Sequence, residues 1–351
     1  MNLVERVIRR LDAEQQRHRA PAFVFGVIKK YGDDNGGMLV ANLAHSSFVS
    51  LFPLLLVLMT ILGLVASGDA ALRQHAFNAI AKQLPVIGHE LESNVGELRR
   101  SSEIGLVIGL VGLVWGTTGL ADAAQYTMAQ VWNLPGPARP GYIPRLGRSL
   151  VFLGILGLGV SATTLVTGLS TDGRNAITVV VLLEALAAAV NIVMYLLAFR
   201  VLTPKVVPAR HLLAGTVAGG LAWTVLQALG GYFTRRFVDS NSVYGVFATA
   251  LGLLAWISLS LQVTVYAAEL NVVLSRRLWP RSIVQPPLTP ADQVVLAAQA
   301  LQNQRRDEEH VEVSFYDWPA KAIAANDTPR TPGQVAPGER PEAGSDPGKI
   351  R

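Results

Sequence analysis

Ser258, Gln262, Tyr266 and Glu269 recur at steps of four, four and three, so on a helix they share one face. Glu184, Ala188, Asn191 and Tyr195 repeat that pattern on a second helix. His45, Asp122 and Arg200 stand in or beside other apolar runs. Ionisable groups are costly inside a bilayer; they turn toward protein or water and mark substrate and ion pathways. By helical rise Glu184 lies roughly 12 Å inside one end of its segment, while His45, Asp122, Arg200 and Glu269 share a depth near the other. The chemistry this suggests is binding: a polar cavity for the head group of a lipid or other amphiphile, built from His45, Asp122, Glu184, Asn191, Arg200, Gln262, Tyr266 and Glu269. Arg200 would pair an anionic group, with Glu184 deeper along the path. The plainer alternative is interhelical hydrogen bonding worth about 0.6 kcal/mol each, with Glu269 snorkelling from the interface.

Catalysis is not expected. No nucleophile, base and orienting group stand together. A nuclease metal site needs clustered histidine and carboxylate, but His18, His45, His75, His89, His211 and His310 offer no local ligand pair. There is no GxxxxGK[ST] phosphate loop. The basic segments lack interleaved aromatics for stacking bases, and the chain has no cysteine. The reading is therefore no enzyme, no cofactor, no metal and no nucleic acid. Membrane lipids are the expected partners, and a homo-oligomer stays open.

The elements that would position these groups are apolar helices. Half of the 351 residues are hydrophobic and 16% are charged, against about 25% charged in soluble domains. Ser240 to Ala268 contains no Asp, Glu, Lys, Arg or His and exceeds the roughly 20 residues that span a bilayer core. Similar segments cover about 38–66, 104–131, 146–170, 176–202 and 211–233. The expectation is an all-α, six-helix membrane domain over 38–278, with an excursion at 67–103 and a tight turn at Thr171 to Asn175. Pro53 should bend the first helix. Glycines at 105, 109, 112, 116 and 119 share one face of the second, a ridge for close backbone approach. Gly215, Gly219 and Ala222 form a second small-residue face on the fifth.

The flanks follow from charge and periodicity. Residues 1–37 are basic and amphipathic, with Leu3, Val7 and Leu11 on one helical face and Pro21 at the start of a second helix. They suit an elbow lying on a membrane surface as well as a solvated helix. No apolar core follows the basic N-terminus, so a cleavable signal is not expected. Thr289 and Pro290 suit a helix start, reaching about Arg306, and the tail from Pro319 reads as disordered within a 279–351 segment. The net charge is +5. Lysines and arginines crowd the N-terminal segment, the loops after the second and fourth helices, and the C-terminal flank. Both termini are therefore expected in the cytoplasm.

Several stretches resemble the BrkB/YihY family of bacterial inner-membrane proteins: SLFPLLL at Ser50 to Leu56, the Trp115 segment, and above all Gly230 to Asn271. That last stretch holds a Gly-Tyr-aromatic step, a Tyr-Gly opening, a mid-helix Trp256 and a closing Ala-Glu-Leu-Asn. The resemblance spans roughly residues 20 to 280. It implies six helices in the inner membrane; members once labelled ribonuclease BN, others linked to serum resistance, and others proposed to move lipid leave the activity open. A transporter or flippase-like carrier of an amphiphile, through a cavity between helices 1, 2, 4 and 6, is the first expectation. A non-catalytic envelope structural or assembly protein is the alternative, and a membrane-bound hydrolase ranks last.

Overall fold

The computed structural model describes residues 3–65, 102–139, 141–169, 177–237 and 245–315. The expected excursion at 67–103, save its last two residues in α4, the turn at Thr171 to Asn175, the opening at Ser240 and the tail from Pro319 lie outside the described residues. Within them every regular element is helical. Two shorter helices come first, α1 (Leu3–Arg17) and α2 (Arg19–Asp33). Six long ones follow: α3 (Gly36–Val65), α4 (Ser102–Val131), α5 (Tyr142–Leu169), α6 (Ile177–Leu202), α7 (Leu213–Phe237) and α8 (Gly245–Arg276). α9 (Pro290–Gln302) closes the described chain.

Consecutive long helices are neighbours, and α8 returns to α3, so α3 to α8 close a ring. α2 leans on α8 from outside it. Among the described residues three stretches are long and apolar enough to cross a membrane: Val181–Leu202, Ala209–Gly230 and Ala250–Arg276. Val217, Leu221, Val225 and Leu229 on α7 are all exposed and lie four residues apart. In water such a stripe would drive association; against acyl chains it is the surface required.

Helix ends have local causes. Asn133 stops α4 by taking φ 48°, a left-handed conformation its short side chain tolerates. Leu134 N–H then bonds back to Ala129 O and Asn133 N–H to Gln130 O, satisfying two terminal carbonyls. The last long helix runs past the expected end at Ala268, because Glu269 is buried with a partner and does not meet water. It stops at Arg276, where Arg277 takes φ 53° and Leu278 N–H bonds Val273 O. The Thr289 cap stands as expected: its hydroxyl accepts from Asp292 N–H, and Asp292 reaches back to Thr289 N–H. That helix ends at Gln302, earlier than Arg306. Pro21 falls in the first turn of α2, where its missing N–H costs no helical bond.

Small residues set the helix spacing. A Cβ on Gly116 would stand 3.0 Å from Ser50 Cα, and one on Gly112 3.0 Å from Pro53 Cβ, so the α4 ridge meets α3 where Pro53 sits. On α7 a Cβ on Gly220 would stand 2.7 Å from Ile192 Cα, and one on Gly215 would strike Ala267 O. The apolar core, with Trp132, Phe199, Leu212, Val265, Val272 and Leu278, lies toward the end of the ring where α2 docks.

Replacing Gly220 by Ala forces backbone against backbone and should cost about 1–3 kcal/mol, read as a lower unfolding temperature in detergent. Gly119→Ala, on the same ridge as Gly116 but with nothing within 4 Å, should not lower that temperature and should raise it slightly by helix propensity.

Candidate functional site

The α8 stripe divides by depth. Ser258 turns its hydroxyl back to Leu254 O, and Gln262 is half-buried. Tyr266 stacks on Tyr31 of α2, ring centroids 4.2 Å apart and planes 16° off parallel. Glu269 is fully buried, its Oε2 3.5 Å from Lys30 Nζ, which corrects the snorkelling alternative. Lys30 is itself fully buried and also donates to Asp34 and to Val131 O at 3.1 Å. One ammonium thus joins α2, the end of α4 and α8.

A second knot lies beside it. Asp292 of α9, 0% exposed, accepts from Lys29 Nζ at 2.8 Å, Arg281 Nε at 2.5 Å, and Ser282 N–H and Oγ at 3.1 and 2.7 Å. Arg281 also donates to Asp33 at 2.6 Å. Burial alone would raise the Asp292 carboxyl; the bonds from Lys29, Arg281 and Ser282 outweigh it and hold the group well below the usual carboxylate range. Further out, Asp12 of α1 accepts from the backbone N–H of Ile283 at 3.0 Å and Val284 at 3.4 Å. The N-terminal helices are therefore clamped to the loop after α8. The α1 face with Val7 and Leu11 is left exposed.

The remaining candidates do not join this knot. Asn191 is buried and donates to Thr224 Oγ1 at 3.0 Å and Gln227 Oε1 at 3.2 Å, both on α7. One turn on, Tyr195 and Thr264 share a hydrogen bond of 2.9 Å between α6 and α8. Asp122 lies 3.6 Å from Arg145, both about half exposed. His45, Glu184 and Arg200 are exposed, and Arg200 bonds Val207 O at 3.4 Å. A cleft of about 470 Å³ opens between the ends of α2, α4 and α9; Asp34, Tyr126, Gln130, Arg139, Gln299 and Gln302 line it. None of the eight candidates does.

Lys30, Asp33, Asp34, Arg281 and Asp292 were not among the candidates. Lys29, Lys30 and Arg281 read in the sequence as charges marking a cytoplasmic face. The available signal was the i, i+4 spacing of Lys29 with Asp33 and Lys30 with Asp34; their more distant partners lie over 200 residues away and left no local trace.

The profile described as Virulence factor BrkB matches residues 27–288. The chain belongs to the BrkB family. That match takes in the second half of α2, the whole ring and the Arg281 loop, and stops before α9. BrkB relatives include UPF0761 membrane proteins of Pseudomonas paraeruginosa, 23% identical over 74% of this chain and 64% of the relative, and Pseudomonas aeruginosa, 24% identical over 72% and 62%. Another, from Alteromonas mediterranea, is 23% identical over 72% of this chain and 87% of its own length. The chain thus spans a little under two thirds of the two Pseudomonas relatives. No solved structure matches it. With its apolar helices and these relatives, this BrkB protein is an integral, multi-pass bacterial membrane protein.

A carboxylate with a depressed folded pKa stabilises the fold above its unfolded value, about 3.9, and that contribution is lost as the pH falls through the folded value. Unfolding temperature should therefore decline from about pH 4 downward. Asp292→Asn leaves Lys29 and Arg281 without their shared anion. It should cost about 3–5 kcal/mol at neutral pH and flatten the acid decline, both read by thermal unfolding in detergent.

Proposed function

We propose that this BrkB protein is a carrier that passes a lipid or other amphiphile between leaflets along polar groups inside the helix ring. In this reading α3 to α8 each cross the bilayer of the inner membrane, with both termini in the cytoplasm. Meeting of the N- and C-terminal segments at one end of the ring supports an even number of crossings. The lysine and arginine distribution supports the cytoplasm as that side. α1 then lies on the inner leaflet with Val7 and Leu11 toward lipid.

The observation that carries the reading is unpaired polarity within the ring. Asn191 Oδ1, Glu269 Oε1 and Asn271 Nδ2 are buried without a hydrogen-bond partner. Each such atom costs about 1–3 kcal/mol, a cost a polar path offsets when water or a head group occupies it. Glu184 adds an ionisable group within the Val181–Leu202 span, where such residues are functional by default. Through Asn191 and Tyr195 the α6 series continues to Arg200 at the other end of the helix. The path is drawn from α6 toward α7 and α8, with Glu269 at its floor and His45, Asp122, Gln262 and Tyr266 along its α3, α4 and α8 walls.

A non-catalytic envelope assembly protein is the second reading. The Asp292 and Lys30 knots favour it, because they hold α1, α2 and α9 as a fixed platform at one end of the ring.

The test is lipid exchange between leaflets of proteoliposomes. Glu184→Gln with Asp122→Asn should slow the exchange at least tenfold and reduce co-purified lipid. Unchanged exchange and unchanged bound lipid would remove the carrier and leave the assembly reading.

A further inference from the structure

Arg148 of α5 and Arg200 of α6 form a like-charged couple, of which the polar path above takes in Arg200 alone. The two helices pack side by side: a Cβ on Gly159 would fall on the Met194 thioether, which fixes their register. From that crossing Arg148 lies eleven residues along α5 and Arg200 six along α6, both toward the end where α2 docks. At 1.5 Å per residue the offset is roughly 7 Å, within reach of two arginine side chains. Arg148 accordingly feels the charge of Arg200.

Among the described residues no ion pair joins either guanidinium to a carboxylate, and the nearby Asp122 is engaged by Arg145. Arg148 Nη1 is buried with no hydrogen-bond partner. A guanidinium has five donors, no acceptor and no accessible neutral form. Two of them side by side, one with a buried orphan donor, leave the site short of negative charge and of acceptor oxygens. A phosphate supplies both, and arginine meets it with paired hydrogen bonds.

The surroundings select the source of the phosphate. Leu146, Leu150 and Val151 on α5 are exposed, as are Val193 and Leu197 on α6. An apolar surface flanking a basic couple at a helix end fits acyl chains below a head group, as basic pockets between spanning helices do for anionic lipids. We propose that Arg148 and Arg200 clamp the phosphate of an anionic phospholipid at the rim of the α5–α6 face. The choice of a lipid rests on the amphiphile reading above; the clamp itself holds whether or not the lipid is carried.

The experiment is native mass spectrometry of the full chain in mild detergent, titrated with phosphatidylglycerol, phosphatidylcholine or inorganic phosphate. The wild type should retain phosphatidylglycerol over phosphatidylcholine. Arg148→Gln with Arg200→Gln should weaken that retention roughly fivefold per arginine, and the double lysine variant should keep part of the preference. Should the Arg148 change unfold the protein, Arg200→Gln alone, at an exposed side chain with one bond of 3.4 Å, should still lose about fivefold. Equal retention by wild type and glutamine variants, or no preference between the two lipids, overturns the clamp. Displacement of phosphatidylglycerol by inorganic phosphate at matching concentration overturns the lipid source. A wild type that exchanges no lipid between leaflets yet retains phosphatidylglycerol through Arg148 and Arg200 removes the carrier and supports the clamp.

Discussion

A charge withdrawn from water must find its opposite, and the burial of Lys30 organises this molecule. Desolvating an ammonium costs on the order of several kcal/mol. Lys30 meets that with Asp34 just past its own helix, Glu269 on α8 and the carbonyl of Val131 at the end of α4. Those three partners fix where α2 lies, how far α8 continues and where α4 stops. Such a cluster adds little net stability beside an apolar core of the same volume. Its contribution is geometric, because removing any one group leaves another charge or carbonyl uncompensated.

Asp292 extends the same logic outside the ring. It gathers Lys29, Arg281, Ser282 and its own N-cap Thr289, and Arg281 passes the connection to Asp33. The chain's two flanks, 263 residues apart at Lys29 and Asp292, are thereby bound to each other through side chains on opposite sides of the ring's sequence. The ring needs no such chemistry to close. Close backbone approach at Gly116 and Gly220, with apolar side chains turned outward, suffices where the solvent is lipid.

Much of this was legible in the residues. Long apolar stretches announce long helices, and their bounds fall within a few residues of the observed ones except at Arg276. The glycine series on the second apolar helix announces the contact with Ser50 and Pro53. Thr289 and Pro290 announce a capped helix. Lys29 and Lys30 read in the sequence only as markers of a cytoplasmic face, because their pairing with Asp292 and Glu269 depends on the tertiary fold alone. The eight polar candidates follow from shared helix faces and from depth along the helices. Neither feature says which neighbour a side chain meets, so Asn191 turns to α7, Glu269 to α2, and His45, Glu184 and Arg200 stay exposed.

Position in the fold also separates two populations of polar residues. Those at the docking end of α2 pair opposite charges into knots of carboxylate, ammonium and guanidinium groups, although Glu269 Oε1 and Arg281 Nη1 stay buried without a partner. Those further into or around the ring are left incomplete, with Asn191 Oδ1 and Arg148 Nη1 buried and unpaired and Glu184 set in an apolar span. A membrane protein that needed only rigidity would be more stable with apolar side chains of similar volume at these positions. Their retention as polar groups is explained if they meet something polar that the fold does not itself supply, and the excess of guanidinium over carboxylate at Arg148 and Arg200 gives that partner its sign.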